Sequence, residues 1–186
     1  IKRIKMTTDM NEFCRDVDIV TECVLENLNL KMKVFAELDR KCPKRTILAT
    51  NSSGFSITAL AGATERSDRV VGTHWFNPPP VMRGVEVIRA PETSDETVKV
   101  VKDVLEKCGK VPIVFKDDPR AYGYIANRCY FALAREAMRI VEEGTATETD
   151  IDNALKLGFG FPLGPFELFG FLTTRGGEPR RMRFEA

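Results

Sequence analysis

Short apolar, β-branched runs recur through the first two thirds of the chain with helix-forming segments between them, and this alternation limits the possible folds more than any other feature. VDIVTECV (17–24) precedes NLNLKMKVFAELDRKC, in which Leu28, Leu30, Val34, Phe35 and Leu38 keep helical spacing. RTILATNSS holds a second run, Thr46 to Thr50, which ends in small polar residues before ITALAGAT, a short helix or turn. RVVGTHWFN reads as a third strand, VEVIRA as a fourth and KVPIVFK as a fifth. Between the last two lies SDETVKVVKDVLEKCG, a helix with Ser94 as its N-cap, Asp95 and Glu96 at the positive end of its dipole, and Gly109 as its C-cap. Strands alternating with helices predict a mostly parallel sheet, whose ligands collect at the C-terminal strand ends. The loops after Val24, Thr50 and Thr73 are therefore where chemistry is expected.

At KDDP (116–119) the pattern changes. IANRCYFALAREAMRIVEEG predicts a helix with Tyr130, Leu133, Ala134, Ala137, Met138 and Val141 on one face and Gly144 closing it. TETDIDNALKLG predicts another, from a Thr147 cap to a Gly158 stop. The domain reading is an α/β part over 1–118, an all-helical part over 119–170, and a divergent tail over 171–186, where hydrophobic periodicity is lost.

Lys and Arg number 28 against 27 Asp and Glu, so no basic field calls for nucleic acid as a partner. No apolar run reaches the roughly 18 residues of a membrane span, and no membrane partner is expected. The five cysteines are scattered and never in C-x-x-C spacing, which argues against a disulfide framework and against a metal site, and favours a reducing, cytoplasmic location. The chain opens in mid-pattern without Met, which reads as a fragment of something longer.

His74 is the one histidine. It closes the third strand, and Glu86 sits in the next, so adjacent strands can bring the two side chains together. A carboxylate on imidazole Nδ1 fixes the tautomer, leaves Nε2 as a base, and stabilises the imidazolium once formed. The other reading, a structural histidine and a surface glutamate, stays open on these residues alone. Asn51, Ser52 and Ser53 in ATNSSG supply hydroxyls for a substrate or cofactor, or else a helix cap. Pro78 to Pro80 make a stiff turn after the base, or a rigid connector.

VTECVLENLNLK, ILATNSSGFSIT, GTHWFNPPPVMRGVEVIRAPETS and LGFGFPLGPFEL, in this order, resemble the 3-hydroxyacyl-CoA dehydrogenases, NAD-dependent enzymes of fatty-acid β-oxidation that include the 3-hydroxybutyryl-CoA branch. The resemblance runs from about residue 5 to residue 170. It implies a Rossmann-type domain followed by a helical, 6-phosphogluconate-dehydrogenase-like domain that closes the active site and forms a homodimer. It implies His74 as general base with Glu86 as its orienting partner, NAD as cofactor, and a 3-hydroxyacyl-CoA as substrate. Ser53 matches the serine that bonds the reacting oxygen, and Asn127, in GYIANR, the asparagine that completes the polar site. Glu26 and Asn77 fall near the nicotinamide half of the cofactor and Lys31 on a cationic position beside the ligands. For Glu26 and Lys31, a solvated charge on an exposed helix is the competing explanation.

The sequence also departs from the family pattern. G-x-G-x-x-G is absent, and GFGFPLG follows a helix with the wrong spacing. The fold class expected is therefore α/β, with only the C-terminal part of a Rossmann-type parallel sheet, lacking its N-terminal Gly-rich half, followed by a truncated helical domain. DDPRAYGYIAN carries Arg120, Ala121 and Tyr122 beyond the family's D-x-P-G-[FY] approach to the asparagine, and the chain leaves the family pattern after GPFEL. Two functional classes follow: an NAD-dependent dehydrogenase, or a non-catalytic fragment or recruited binding module with the enzyme's fold, which would bind NAD weakly or not at all.

Overall fold

The computed structural model describes residues 4–173, with side chains to residue 170. The chain divides into two compact units, Ile1–Tyr124 and Ile125–Ala186. The tail expected over 171–186 lies outside the described residues except for the last turn of backbone, to Thr173.

The first unit runs α1 (Met10–Cys14), β1 (Ile19–Glu22), α2 (Leu28–Lys41), β2 (Ile47–Thr50), α3 (Ile57–Ala61), β3 (Val70–Trp75), β4 (Gly84–Arg89), α4 (Asp95–Lys107) and β5 (Val111–Lys116). The strands form one sheet in chain order, β1 to β5. β1, β2 and β3 are mutually parallel, as are β4 and β5, but β3 and β4 are antiparallel. Three of the four pairings are thus parallel, as the alternation predicts, and the β3–β4 reversal is the exception. Residues 76–83 join β3 to β4 without a helix, and a parallel return needs a crossover of about a dozen residues or more.

Successive strand residues face opposite sides, and both sides are covered. Val20, Leu48, Val70 and Ile88 pack with Phe35 and Leu38 of α2, Ile57 and Leu60 of α3, and Tyr124. Ile47, Ala49, Val71, Val85 and Val87 pack with Val101 and Leu105 of α4. A remnant of a sheet is thereby corrected to a five-stranded one whose strands β1 to β4 bury an apolar cluster on each face, while β5 leaves Val111, Ile113 and Val114 exposed. Gly72 is needed for packing rather than for conformation: a Cβ there would meet Ile57 Cδ1 at 2.8 Å and Ile88 Cδ1 at 2.9 Å.

The caps follow local chemistry. The Asn27 side chain accepts from the Leu30 amide at 3.0 Å and starts α2. Ser94 accepts from the Thr97 amide at 3.1 Å and starts α4, while Gly109, with φ of +75°, follows its end.

The second unit holds α5 (Ile125–Glu142), α6 (Glu148–Phe159) and α7 (Pro165–Thr173). Thr147 and Asp150 form a capping box at the start of α6. That helix runs through Gly158 and ends at Gly160, whose φ of +71° suits the left-handed stop. Buried Asp152 accepts from the Phe166 and Glu167 amides at 3.0 Å each and so caps α7. A Cβ at Gly164 would overlap the Asp152 carboxylate, which explains the small residue before Pro165 in this stretch.

Candidate active site

β3 and β4 set His74 and Glu86 directly opposite each other in the antiparallel register. Opposed residues of an antiparallel pair point to the same face, and here the side chains meet: His74 Nδ1 lies 2.7 Å from Glu86 Oε2. Both residues are buried, at 6% and 1% exposure. A carboxylate can only accept, so Nδ1 carries the proton and Nε2 is left as the basic nitrogen. Aromatic rings flank the imidazole, with the Phe76 centroid at 5.0 Å and the Tyr124 centroid at 5.6 Å.

A second cluster forms at the carboxyl ends of β1 and β2. Lys31 is buried at 1% exposure although it opens a helix whose neighbours are exposed, so the solvated-charge reading fails for it. Its ammonium donates to Glu22 Oε1 at 2.9 Å and to the Val24 carbonyl at 3.2 Å, and it pairs with Glu26 Oε2 at 3.2 Å. Glu22 accepts in addition from the Thr50 hydroxyl at 2.7 Å. A buried lysine with its three N–H donors committed in this way is a strut. What it holds is Glu26, whose other oxygen accepts from the Ser52 hydroxyl at 2.5 Å and the Ser53 amide at 3.0 Å. The Glu26 side chain keeps 35% exposure. It is therefore a carboxylate of fixed orientation with an open side, an acceptor placed to take a hydrogen bond from an amide or hydroxyl of a dinucleotide at the carboxyl ends of parallel strands. These residues fit the nicotinamide cofactor that the resemblance implies.

Two further expected site residues lie on other segments. Asn77 is exposed in the loop after β3, three positions beyond His74. That loop is pinned by Lys110, whose ammonium donates to the Pro79 and Met82 carbonyls at 2.5 and 2.8 Å. Asn127 is half-buried in the first turn of α5, in the second unit. Sequence reasoning passed over Glu22 and Tyr124, and took Ser52 only as part of its loop. Glu22 had a signal: an acid interrupting a β-branched run, with a lysine nine positions on. Tyr124 had none, because its partners are distant in the chain.

Residues 1–118 match the family model for the 3-hydroxyacyl-CoA dehydrogenase NAD binding domain, and residues 123–183 that for the 3-hydroxyacyl-CoA dehydrogenase C-terminal domain. The chain belongs to the 3-hydroxyacyl-CoA dehydrogenase family. It is 42% identical over 172 residues to the hydroxyacyl-coenzyme A dehydrogenases, named mitochondrial, of Sus scrofa and Homo sapiens, covering 92% of this chain and 54% of each of them. It is likewise 42% identical to a probable 3-hydroxybutyryl-CoA dehydrogenase of Bacillus subtilis, of which it covers 58%. The crystal structure of (S)-3-hydroxybutyryl-CoA dehydrogenase from Ralstonia eutropha superposes with a TM-score of 0.86 at 39% identity, over 92% of this chain and 59% of that one. The chain thus spans about half the length of the curated relatives it matches.

These matches correct three expectations. The NAD-binding-domain match extends from residue 1 across the whole α/β unit, which overturns the reading of a 3-hydroxyacyl-CoA dehydrogenase lacking the N-terminal half of its Rossmann domain. With the C-terminal-domain match it also corrects the fold class, since both the NAD-binding and the C-terminal domain models are matched. The earlier expectation leaned on one motif, G-x-G-x-x-G, which the 186 residues do not contain; the domain model matches residues 1–118 without it. The cytoplasmic placement is overturned as well, since the pig, human, rat and mouse relatives are named mitochondrial. Among the described residues no helix is long and apolar enough to cross a membrane.

Proposed function

We propose that this chain performs the NAD-dependent oxidation of an L-3-hydroxyacyl-CoA to a 3-ketoacyl-CoA, and its reverse, with His74 as general base. The observation that carries the reading is the buried His74 Nδ1 to Glu86 Oε2 contact of 2.7 Å. It is a base with its tautomer set and its conjugate acid stabilised, the requirement for removing a hydroxyl proton near neutral pH.

In the oxidation, Nε2 of His74 accepts the proton of the 3-hydroxyl as the C3–O bond becomes a carbonyl. NAD, when bound, accepts the hydride that leaves C3. Glu86 holds the resulting imidazolium through Nδ1–H. In the reverse direction the imidazolium returns its proton to the carbonyl oxygen. Ser53 and Asn127 are proposed to bond that oxygen, and Glu26 and Asn77 to orient the nicotinamide half of the cofactor. Lys31 acts through Glu26, because its own donors are committed. The protein is proposed to work as a homodimer; Leu157 and Phe159 on α6, at 86% and 78% exposure, offer apolar surface for association.

The test is turnover of a 3-ketoacyl-CoA with NADH, followed by nicotinamide absorbance, in the wild type and His74→Gln. The variant is expected to lose about 10²- to 10⁴-fold in kcat. A variant as active as the wild type, or a wild type without turnover, overturns the reading. Light scattering checks the dimer, and a monomer at all concentrations would refute it.

A further inference from the structure

An imidazole held by a single hydrogen bond at Nδ1 can swing about that contact, which would move Nε2 off the reacting proton. Catalytic groups need neighbours that remove such freedom. One ring beside His74 is Phe76, the residue just after β3. A second is Tyr124, brought in from fifty residues further along the chain.

Tyr124 is 4% exposed, and its ring lies 5.6 Å from the His74 ring and 6.1 Å from that of Phe115. Its phenol donates to the Phe55 carbonyl at 2.7 Å. Burial pushes the phenol well above its ordinary range, so it stays a protonated donor. The backbone beside it is tied down too. The Gly123 amide donates to the Gly54 carbonyl at 3.3 Å, Gly123 takes a φ of +91°, and a Cβ at Gly54 would overlap the Gly123 amide nitrogen. The added residues Arg120 to Tyr122 end in a ring that packs edge-on to Phe55 at 5.5 Å. The 121–124 segment therefore sits flush on the 51–56 loop, the loop that also orients Glu26 through Ser52.

We infer that Tyr124 is a positioning residue for His74, its ring packed edge-on against the imidazole to limit its swing and its phenol fixed to the 51–56 loop. It is also the last residue of the first unit, and Asn127 follows three positions later on α5. This role rests on the general-base reading of His74 for its catalytic meaning, but the placement itself can be tested without turnover.

His74 is the one histidine, so its ring nitrogens give the only imidazole signals in a proton–nitrogen NMR spectrum. At about pH 8, above the ordinary imidazole range, the wild type is expected to show one tautomer, protonated at Nδ1, with slow exchange of that proton. Tyr124→Leu is expected to keep the tautomer that Glu86 sets but to exchange the Nδ1 proton at least tenfold faster, with a fall in kcat of about ten- to a hundredfold and KM little changed. Tyr124→Phe keeps the ring and is expected to keep the tautomer, with the Nδ1 proton exchanging about fivefold faster once the phenol bond is lost. A folded Tyr124→Leu whose Nδ1 proton exchanges as slowly as in the wild type overturns the inference. If Tyr124→Leu does not fold, Tyr124→Phe decides alone, and exchange as slow as in the wild type overturns it. An active His74→Gln would sink the base assignment while leaving these spectra, and hence the positioning result, intact.

Discussion

His74 and Glu86 are register partners across the one antiparallel strand pair of the sheet, and their side chains meet at 2.7 Å in a buried setting. The carboxylate can only accept there. Glu86→Gln keeps the shape but offers an amide that donates, which favours the wrong imidazole tautomer. The expected result is a loss of about a hundredfold or more in kcat, with thioester KM changed far less. Steady-state kinetics on purified variants decide it, and an unchanged kcat would remove Glu86 from the mechanism.

Ser52 is buried and donates to Glu26 at 2.5 Å while accepting from the Phe55 amide at 3.0 Å. Ser52→Ala frees the Glu26 carboxylate from its orienting donor. A hydrogen bond to a charged group is worth enough for KM toward NAD to rise about tenfold, with kcat less affected. Fluorescence titration with NADH reads the same change as a weaker Kd, and equal affinities would dissociate Glu26 from cofactor binding.

Lys31 and Glu22 form an ion pair with side chains at 1% and 0% exposure. Removing one partner strands the other charge inside, so Lys31→Met is expected to cost about 3–5 kcal/mol of stability in urea unfolding. Replacing both, as Glu22→Leu with Lys31→Met, is expected to recover part of that loss. A single variant as stable as the wild type would show that the pair carries no structural role.

Asp39 binds Arg66 at 2.6 Å in a second buried pair, and also accepts from the Glu65 amide at 2.8 Å. Burial alone would raise this carboxyl. The Glu65 amide bond and the bond and charge of Arg66 outweigh it and hold the group below the ordinary aspartate value. A lowered folded value means that the unfolded chain takes up the proton first as pH falls. The stabilisation is therefore present above about pH 4, the unfolded aspartate value, and is lost as pH drops through the lower folded value. Unfolding midpoints measured across the acid range are expected to fall less steeply for Asp39→Asn than for the wild type; parallel curves would contradict the assignment.

Much of the fold was legible in local pattern. The five strands, the helices over 28–41 and 95–107, and the caps at Ser94 and Thr147 come from period, propensity and side-chain-to-backbone bonds among near neighbours. His74 and Glu86 were legible as a candidate pair because each lies in its own strand of a contiguous block. The missing glycine motif misled by its absence, since domain identity rests on many packed positions and not on one loop.

Hydrophobic period tells which face a residue takes, and so the sequence by itself determined which residues would be strands, which would be helices, and that a lone imidazole and a carboxylate would lie in successive strands. It could not determine strand direction, the burial of Lys31 between Glu22 and Glu26, or the approach of Tyr124 to His74. Those depend on pairing between segments far apart in the chain, where closure of a loop and the burial of charge are settled only once all the surrounding elements are packed.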